Sequence, residues 1–234
     1  MNMVVLRLIC LVIGYAFGMI QTAYFYGKMK GIDIRKHGSG NAGTTNTLRV
    51  LGTKAGVIVF IGDMLKAIIA ICIVRFVIVP VFGAEDIKPL LVLYTGAGCV
   101  LGHNFPFYMG FKGGKGIATT GGMMIASHWM YVPVGLLLFF GNFFLNHYVS
   151  LGSLLLYLGF MIETVIMGQA GVFGVEQSVL NEMYIVAAFL TVMAFWKHRS
   201  NIIRLARGNE RKTYLSKKGK EKAAQAEALK ENNK

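Results

Sequence analysis

Between Gly102 and Thr119 the chain reads GHNFPFYMGFKGGKGIAT, which sets His103 and Asn104 ahead of Lys112 and Lys115 and spaces the lysines with Gly113, Gly114 and Gly116. Glycines let a bare backbone approach a ligand and turn N–H groups toward an anion; two lysines beside such a surface point to phosphate or carboxylate. It is not a nucleoside-triphosphate loop. That pattern needs glycine where Met109 stands and Ser or Thr where Gly116 stands. A second constellation, HGSGNAGTTNTLR from His37 to Arg49, offers the small hydrogen-bonding side chains of Ser39, Asn41, Thr44, Thr45 and Asn46, the open backbone of Gly40, and the two-pronged cation of Arg49. Its Gly38-x-Gly40-x-x-Gly43 matches the dinucleotide fingerprint, and Asp63 falls where that fingerprint wants an acid. A helix-length apolar run precedes it where a strand is required, so the match is a decoy. The plain structural alternative is a polar loop capping a helix that starts near Thr44. A third constellation is KHRSNIIRLARGNE, from Lys197 to Glu210. On a helix, His198, Asn201 and Arg204 fall three apart and share one side. Lys197, Arg199 and Arg207 read as topology signals.

The elements that position these groups are membrane helices. Of 234 residues, 55% are hydrophobic and only 15% charged, with a mean hydropathy of +0.55, too apolar for a soluble domain of ordinary composition. Spans are expected at Val4–Tyr26, Ala55–Val81, Pro89–Leu101, Tyr148–Met167 and Val179–Trp196, because about 20 apolar residues cover the hydrocarbon core. The first is read as a membrane helix and not a removable signal. Its Gly14-x-x-x-Gly18 suits close helix packing. The net charge of +13 is unevenly placed. Lys and Arg crowd the three constellations, which belong on the cytoplasmic side, and the connections holding Glu85, Asp86 and Glu176 belong outside. An even number of crossings must then separate Lys115 from Lys197, so the apolar text from Ile117 to Leu145 divides near His128. The fold expected is an all-α polytopic bundle of about seven helices, five being the alternative, with the N-terminus outside and the C-terminus cytoplasmic. Residues 1–210 form the transmembrane domain, and 211–234 a polar, flexible cytoplasmic tail. Asp63 and Lys66, three apart on the second span, are either a structural ion pair or part of the site. Cys10, Cys72 and Cys99 lie in apolar segments without metal-ligand spacing, and neither metal nor cofactor is expected.

Together, residues 39 to 49, 102 to 119 and 197 to 210 resemble the bacterial acyl-phosphate:glycerol-3-phosphate acyltransferases, in the right order and on one membrane face. The chain departs from the family's more usual Pro-Gly-Ala-Thr at Ala42-Gly43-Thr44-Thr45, a change in loop stiffness that removes no functional group. The resemblance implies a multi-pass enzyme of the bacterial cell membrane whose partners are glycerol 3-phosphate, a long-chain acyl phosphate, membrane lipids and an acyl-phosphate-producing enzyme, with no nucleic acid. It implies Ser39, Arg49, Lys112, His198 and Asn201 as the catalytic set. Gly40, Asn41, Thr45, Asn46, His103, Asn104, Gly113, Gly114, Lys115 and Gly116 are then the phosphate-binding surface, and Asp63, Lys66, Arg204 and Glu210 their support. The base is His198 or the substrate's own phosphate. No histidine begins the His-x-x-x-x-Asp motif of soluble-thioester acyltransferases. The competing class is a transporter of an anionic phosphorylated metabolite, which would need access from both faces.

Overall fold

The computed structural model describes residues 2–215, which fold as helices joined by short loops. The elements are α1 (Met3–Gly18), α2 (Thr22–Met29), α3 (Thr44–Leu51), α4 (Thr53–Phe82), α5 (Lys88–Asn104), α6 (Ile117–Ser127), α7 (Tyr131–Asn146), α8 (Val149–Gln169), α9 (Gln177–Lys197) and α10 (Arg199–Ala206). Five stretches are long and apolar enough to cross a membrane: Met3–Met29, Thr53–Phe82, Glu85–Met109, Val149–Gln169 and Gln177–Lys197. The apolar text after Ile117 does divide at His128. There α6 stops, the backbone turns extended (φ −158°, ψ 138°), and α7 begins at Tyr131. Eleven residues rise only about 16 Å, roughly half the hydrocarbon thickness, so α6 does not span alone.

Direction nonetheless alternates along the chain. The first turns of α4, α6 and α8 and the last residues of α5, α7 and α9 all border one cavity, through Gly56, Ile117, Ser150, His103, Phe143 and, just past α9, His198. Seven apolar segments therefore run to and fro, with α1 and α2 counted as one.

α5 is the buried centre, and α1 packs along it backbone to backbone. A Cβ on Gly14 or Gly18 would strike the Thr95 or Cys99 carbonyl; one on Gly98 or Gly102 would strike the Leu11 or Tyr15 carbonyl. Two small-residue stripes thus face each other, the close approach expected where packing alone drives helix association in lipid. Between α1 and α2 the helix breaks at Met19–Gln21, which frees carbonyls at membrane depth. Lys66 Nζ on α4 donates to Gly18 O (3.1 Å) and Ile20 O (2.8 Å), and Gln21 Nε2 donates to Gly18 O (3.5 Å). The break survives because buried donors satisfy it.

One boundary is corrected. Residues 216–234 lie outside the described residues, but Arg211 to Leu215, placed by the sequence in the flexible tail, run back over the helices. Arg49 Nη2 donates to Thr213 Oγ1 (2.7 Å) and Arg211 O (3.3 Å), the Thr213 N–H donates to His147 O (2.9 Å), and Thr53 Oγ1 donates to Leu215 O (3.0 Å). Thr213 is buried. The helical body therefore continues to residue 215, past the limit drawn at 210.

Candidate active site

The three constellations converge on one cavity of about 950 Å³. Ser39, Gly40, Asn41, Thr45, Asn46 and Arg49 border it from the loop before α3 and from α3 itself, Lys112, Gly113, Lys115 and Gly116 from the loop before α6, and His198, Asn201, Arg204 and Glu210 from α10 and its return. His103 and Asp63 reach it from α5 and α4. Asn104, Gly114 and Lys66 do not border it.

Two helices open into the cavity without a cap. α3 begins after Gly43 and α6 after Gly116, neither first turn receives a side-chain cap from among the described residues, and Gly43, Thr44, Thr45, Gly116, Ile117 and Ala118 all border the space. Uncapped first turns present unpaired N–H groups and the positive ends of helix dipoles, the arrangement that binds phosphate. Gly116 must be glycine for two reasons. Its φ of +79° is left-handed, and a Cβ there would press on Asn104 Oδ1.

Several polar residues shape this surface without offering it a donor. Asn46 is 1% exposed; its Oδ1 accepts the Ser39 N–H (2.8 Å), and its Nδ2 donates to Ile34 O (3.1 Å) and His37 O (3.0 Å). It ties the glycine loop to the start of α3. Gly113 and Gly114 use their N–H groups on Asn104 O (3.2 Å) and His103 O (3.1 Å), so they fold the loop and leave no donors for an anion. Asn104 is buried, with its Nδ2 on Met193 Sδ and its backbone O accepting from Lys197 Nζ (3.2 Å). Lys197 thus braces the loop as well as marking a membrane exit.

One acid links two of the cations. Glu210 accepts from Asn201 Nδ2 (2.7 Å), Arg204 Nε (2.7 Å) and Ser150 Oγ (3.1 Å), and Lys115 Nζ donates to Asn201 Oδ1. Burial lowers the Lys115 ammonium to about 8; Glu210 works against that, while Arg204, Lys197 and Arg49 add to it. Arg49 lies below its ordinary value, first by burial and then by Arg211. His198 is 2% exposed and pressed down to about 4 by burial and then by Lys115. It is therefore neutral near pH 7. Its Nδ1–H donates to Ala194 O (2.8 Å), which leaves Nε2 as a bare acceptor. Lys112 and Ser39 are exposed at the rim, their side chains unbonded among the described residues.

Part of the wall is apolar, with Phe60, Phe139, Phe140 and, from the first turn of α6, Ile117. The same four residues line a smaller space of about 80 Å³ that continues between α4, α6, α7 and α8 past Gly121, Met124 and Leu136. Sequence reasoning missed Thr213, Ser150 and Thr22, which hold Arg49, Glu210 and Asp63. Lone hydroxyls in loops and on helices carry no signal. The Phe139-Phe140-x-x-Phe143-Phe144 run was visible, as apolar text only. Among the described residues no group of three or more His, Cys, Asp or Glu side chains comes together as a metal set.

Comparison with known proteins gives a consistent result. Residues 8–208 match the profile of the family described as Glycerol-3-phosphate acyltransferase. The chain is 38% identical over 214 residues to the glycerol-3-phosphate acyltransferase of Exiguobacterium sibiricum, covering 90% of this chain and 95% of that one. It is 41% identical over 211 residues to that of Clostridioides difficile, covering 88% and 94%. Among solved structures it resembles the glycerol 3-phosphate form of PlsY (YgiH), an integral membrane glycerol 3-phosphate acyltransferase, at TM-score 0.72 and 35% identity over 89% of this chain and 96% of that one. The lysophosphatidic acid form of the same enzyme gives TM-score 0.72 and 33% identity, with the same coverage.

Proposed function

The chain belongs to the glycerol-3-phosphate acyltransferase family, and from that premise we propose which donor its cavity accepts and how its residues divide the reaction. Membership makes it a multi-pass membrane acyltransferase that acylates glycerol 3-phosphate in phospholipid synthesis, which sets the transporter alternative aside. The donor proposed is a long-chain acyl phosphate, and the products are lysophosphatidic acid (1-acylglycerol 3-phosphate) and inorganic phosphate. A relative solved with lysophosphatidic acid supports that product.

The observation that carries the reading is the mixed lining of the cavity. Two uncapped helix starts and the cations Arg49, Lys112 and Lys115 border it, and so do phenylalanines that also line an adjoining apolar groove. That is the shape needed for two phosphates and one acyl chain. An acyl phosphate is a mixed anhydride and already activated. The 1-hydroxyl attacks the acyl carbon, the bond from that carbon to the bridging oxygen breaks, and phosphate leaves with its charge stabilised by Arg49, Lys112 and Lys115. Ser39 at the rim hydrogen-bonds the donor, and Asn201 holds Lys115 in place.

The attacking hydroxyl must lose a proton. A histidine pressed to about 4 is a poor base near neutral pH, because efficient proton transfer wants a pKa near the working pH. His198 Nε2 therefore accepts a hydrogen bond from the hydroxyl and orients it, and the proton passes to a substrate phosphate oxygen. The cavity end of the bundle carries the Lys- and Arg-rich loops and the far end Glu85, Asp86 and Glu176. That asymmetry supports a cavity at the cytoplasmic face of the bacterial inner membrane.

The test supplies the purified protein in detergent with labelled glycerol 3-phosphate and either palmitoyl phosphate or palmitoyl coenzyme A. Lysophosphatidic acid from the acyl phosphate alone is expected. Product from the thioester alone would overturn the donor assignment and leave the family intact.

A further inference from the structure

Beneath the cavity lies a polar cluster that the proposed reaction does not use. Lys66 Nζ, 4% exposed as a residue, is surrounded by Gly18 O (3.1 Å), Ile20 O (2.8 Å), Asp63 Oδ1 (3.0 Å) and His103 Nδ1 (2.8 Å). The first three can only accept, so the nitrogen facing them carries its protons as an ammonium and has no lone pair. A proton on His103 Nδ1 would then point at another donor, 2.8 Å away. Nδ1 must therefore be bare, one of four acceptor atoms sharing the three ammonium protons, and the ring's proton sits on Nε2. A carboxylate beside a histidine usually draws the opposite tautomer by accepting Nδ1–H. Here Asp63 Oδ1 stands 3.7 Å from Nδ1, too far to bond, and is taken by Thr22 Oγ1 (3.0 Å) and Lys66.

The other edge of the ring faces the site. His103 borders the cavity, and its Nε2 has no bond among the described residues. It lies against the bare Cα of Gly114, where a Cβ would collide with Nε2 and with Ala42 O.

We propose that Lys66 is a positioning residue that locks His103 in its Nε2–H tautomer, so that the imidazole presents a hydrogen-bond donor to the phosphate of glycerol 3-phosphate. The substrate half of this proposal rests on the functional reading above; the tautomer half does not. A neutral donor suits a cavity already crowded with cations, since it binds phosphate without adding charge. In the other tautomer Nε2 would turn a lone pair toward the phosphate and repel it.

The experiment uses full-length protein labelled with 15N-histidine. The chain has five histidines, and the His103 signals are identified by their absence in His103→Gln. Wild type is expected to show a protonated Nε2 and a bare Nδ1. Lys66→Met removes the donor and lets Nδ1–H turn to Asp63. The tautomer is then expected to invert and KM for glycerol 3-phosphate to rise about tenfold, the effect of one lost hydrogen bond to a charged group, with kcat changed less. Lys66→Arg, which keeps donor and charge, is expected to restore both. Should Lys66→Met fail to fold, the wild-type spectrum still decides, because a protonated Nδ1 there overturns the proposal. An unchanged tautomer in folded Lys66→Met also overturns it, and inversion without a change in KM overturns the role of the donor. If wild type acylates no glycerol 3-phosphate, the functional reading fails separately and the tautomer assignment remains measurable.

Discussion

Replacing Glu210 with glutamine tests the electrostatic frame of the cavity, because this one carboxylate is the acceptor for Ser150, Asn201 and Arg204 and the charge that sustains Lys115. The Glu210 side chain is 5% exposed. An amide has one acceptor oxygen and one NH2, so in either orientation its NH2 meets Asn201 Nδ2 or Arg204 Nε, donor against donor. Losing one partner of a buried, hydrogen-bonded charge pair costs about 3–5 kcal/mol. Arg204 keeps 38% of its side chain in solvent, which lets water replace part of the lost bond and points to the lower end of that range. The functional effect follows from the sign of the charge. Lys115 is an ammonium below its value of about 8, and Glu210 is the cause that holds it up against burial. Without that carboxylate the value falls and the charged, phosphate-binding form is lost at lower pH. The alkaline limb of kcat/KM should then move down by about one pH unit, equivalent to about 1.4 kcal/mol. Lysophosphatidic acid formation from labelled glycerol 3-phosphate, followed from about pH 6 to 9.5, reads this directly, with size exclusion in detergent as the control for folding. A folded variant whose alkaline limb coincides with that of wild type would show that Glu210 does not sustain Lys115.

Three further substitutions probe the other walls. Thr213→Val removes the acceptor 2.7 Å from Arg49 Nη2; kcat/KM should drop about tenfold and recover in Thr213→Ser, and equal activity of all three proteins would free Arg49 from that anchor. Gly121 borders the apolar groove, and a Cβ there meets nothing within 4 Å. Gly121→Leu should therefore fill the groove and lower the preference for palmitoyl over decanoyl phosphate about tenfold, at about 0.8 kcal/mol for each methylene displaced, and an unaltered ratio would place the chain elsewhere. Gly114→Ala drives a methyl into the His103 ring and the Ala42 carbonyl, so KM for glycerol 3-phosphate should rise about tenfold or more while kcat falls less; an unchanged KM would remove the loop from substrate binding.

What was legible in the sequence, and what was not, follows from how far each interaction reaches along the chain. The break at His128 was forced by charge parity between Lys115 and Lys197 and is present, because a bilayer sorts whole loops by Lys and Arg. The facing of His198, Asn201 and Arg204 followed from helical spacing, a local property of the backbone, and all three border the cavity. Asn46 borders the cavity and Gly114 lies in the loop beside it, yet the side chain of one and the N–H of the other are not free for the phosphate-binding work expected of them. Residue type says that an amide or a glycine N–H can meet a phosphate. Only the fold says that those groups are already spent on His37, Ile34 and His103.

The return of Glu210 could not be read from residue type, since an acid in a basic membrane-exit segment looks like a solvated residue; only the family resemblance set it among the supporting residues. It reaches Asn201 and Arg204 because Gly208, at φ +70°, reverses the chain after α10 and the Asn209 N–H closes on Arg204 O (2.9 Å). Continued helix would have carried position 210 away from Arg204 along the axis. A left-handed glycine two residues ahead of the acid is thus the feature that converts a topology signal into an organised cation site. It explains why Lys115 and Arg204, which repel each other, can face the same phosphate-binding cavity.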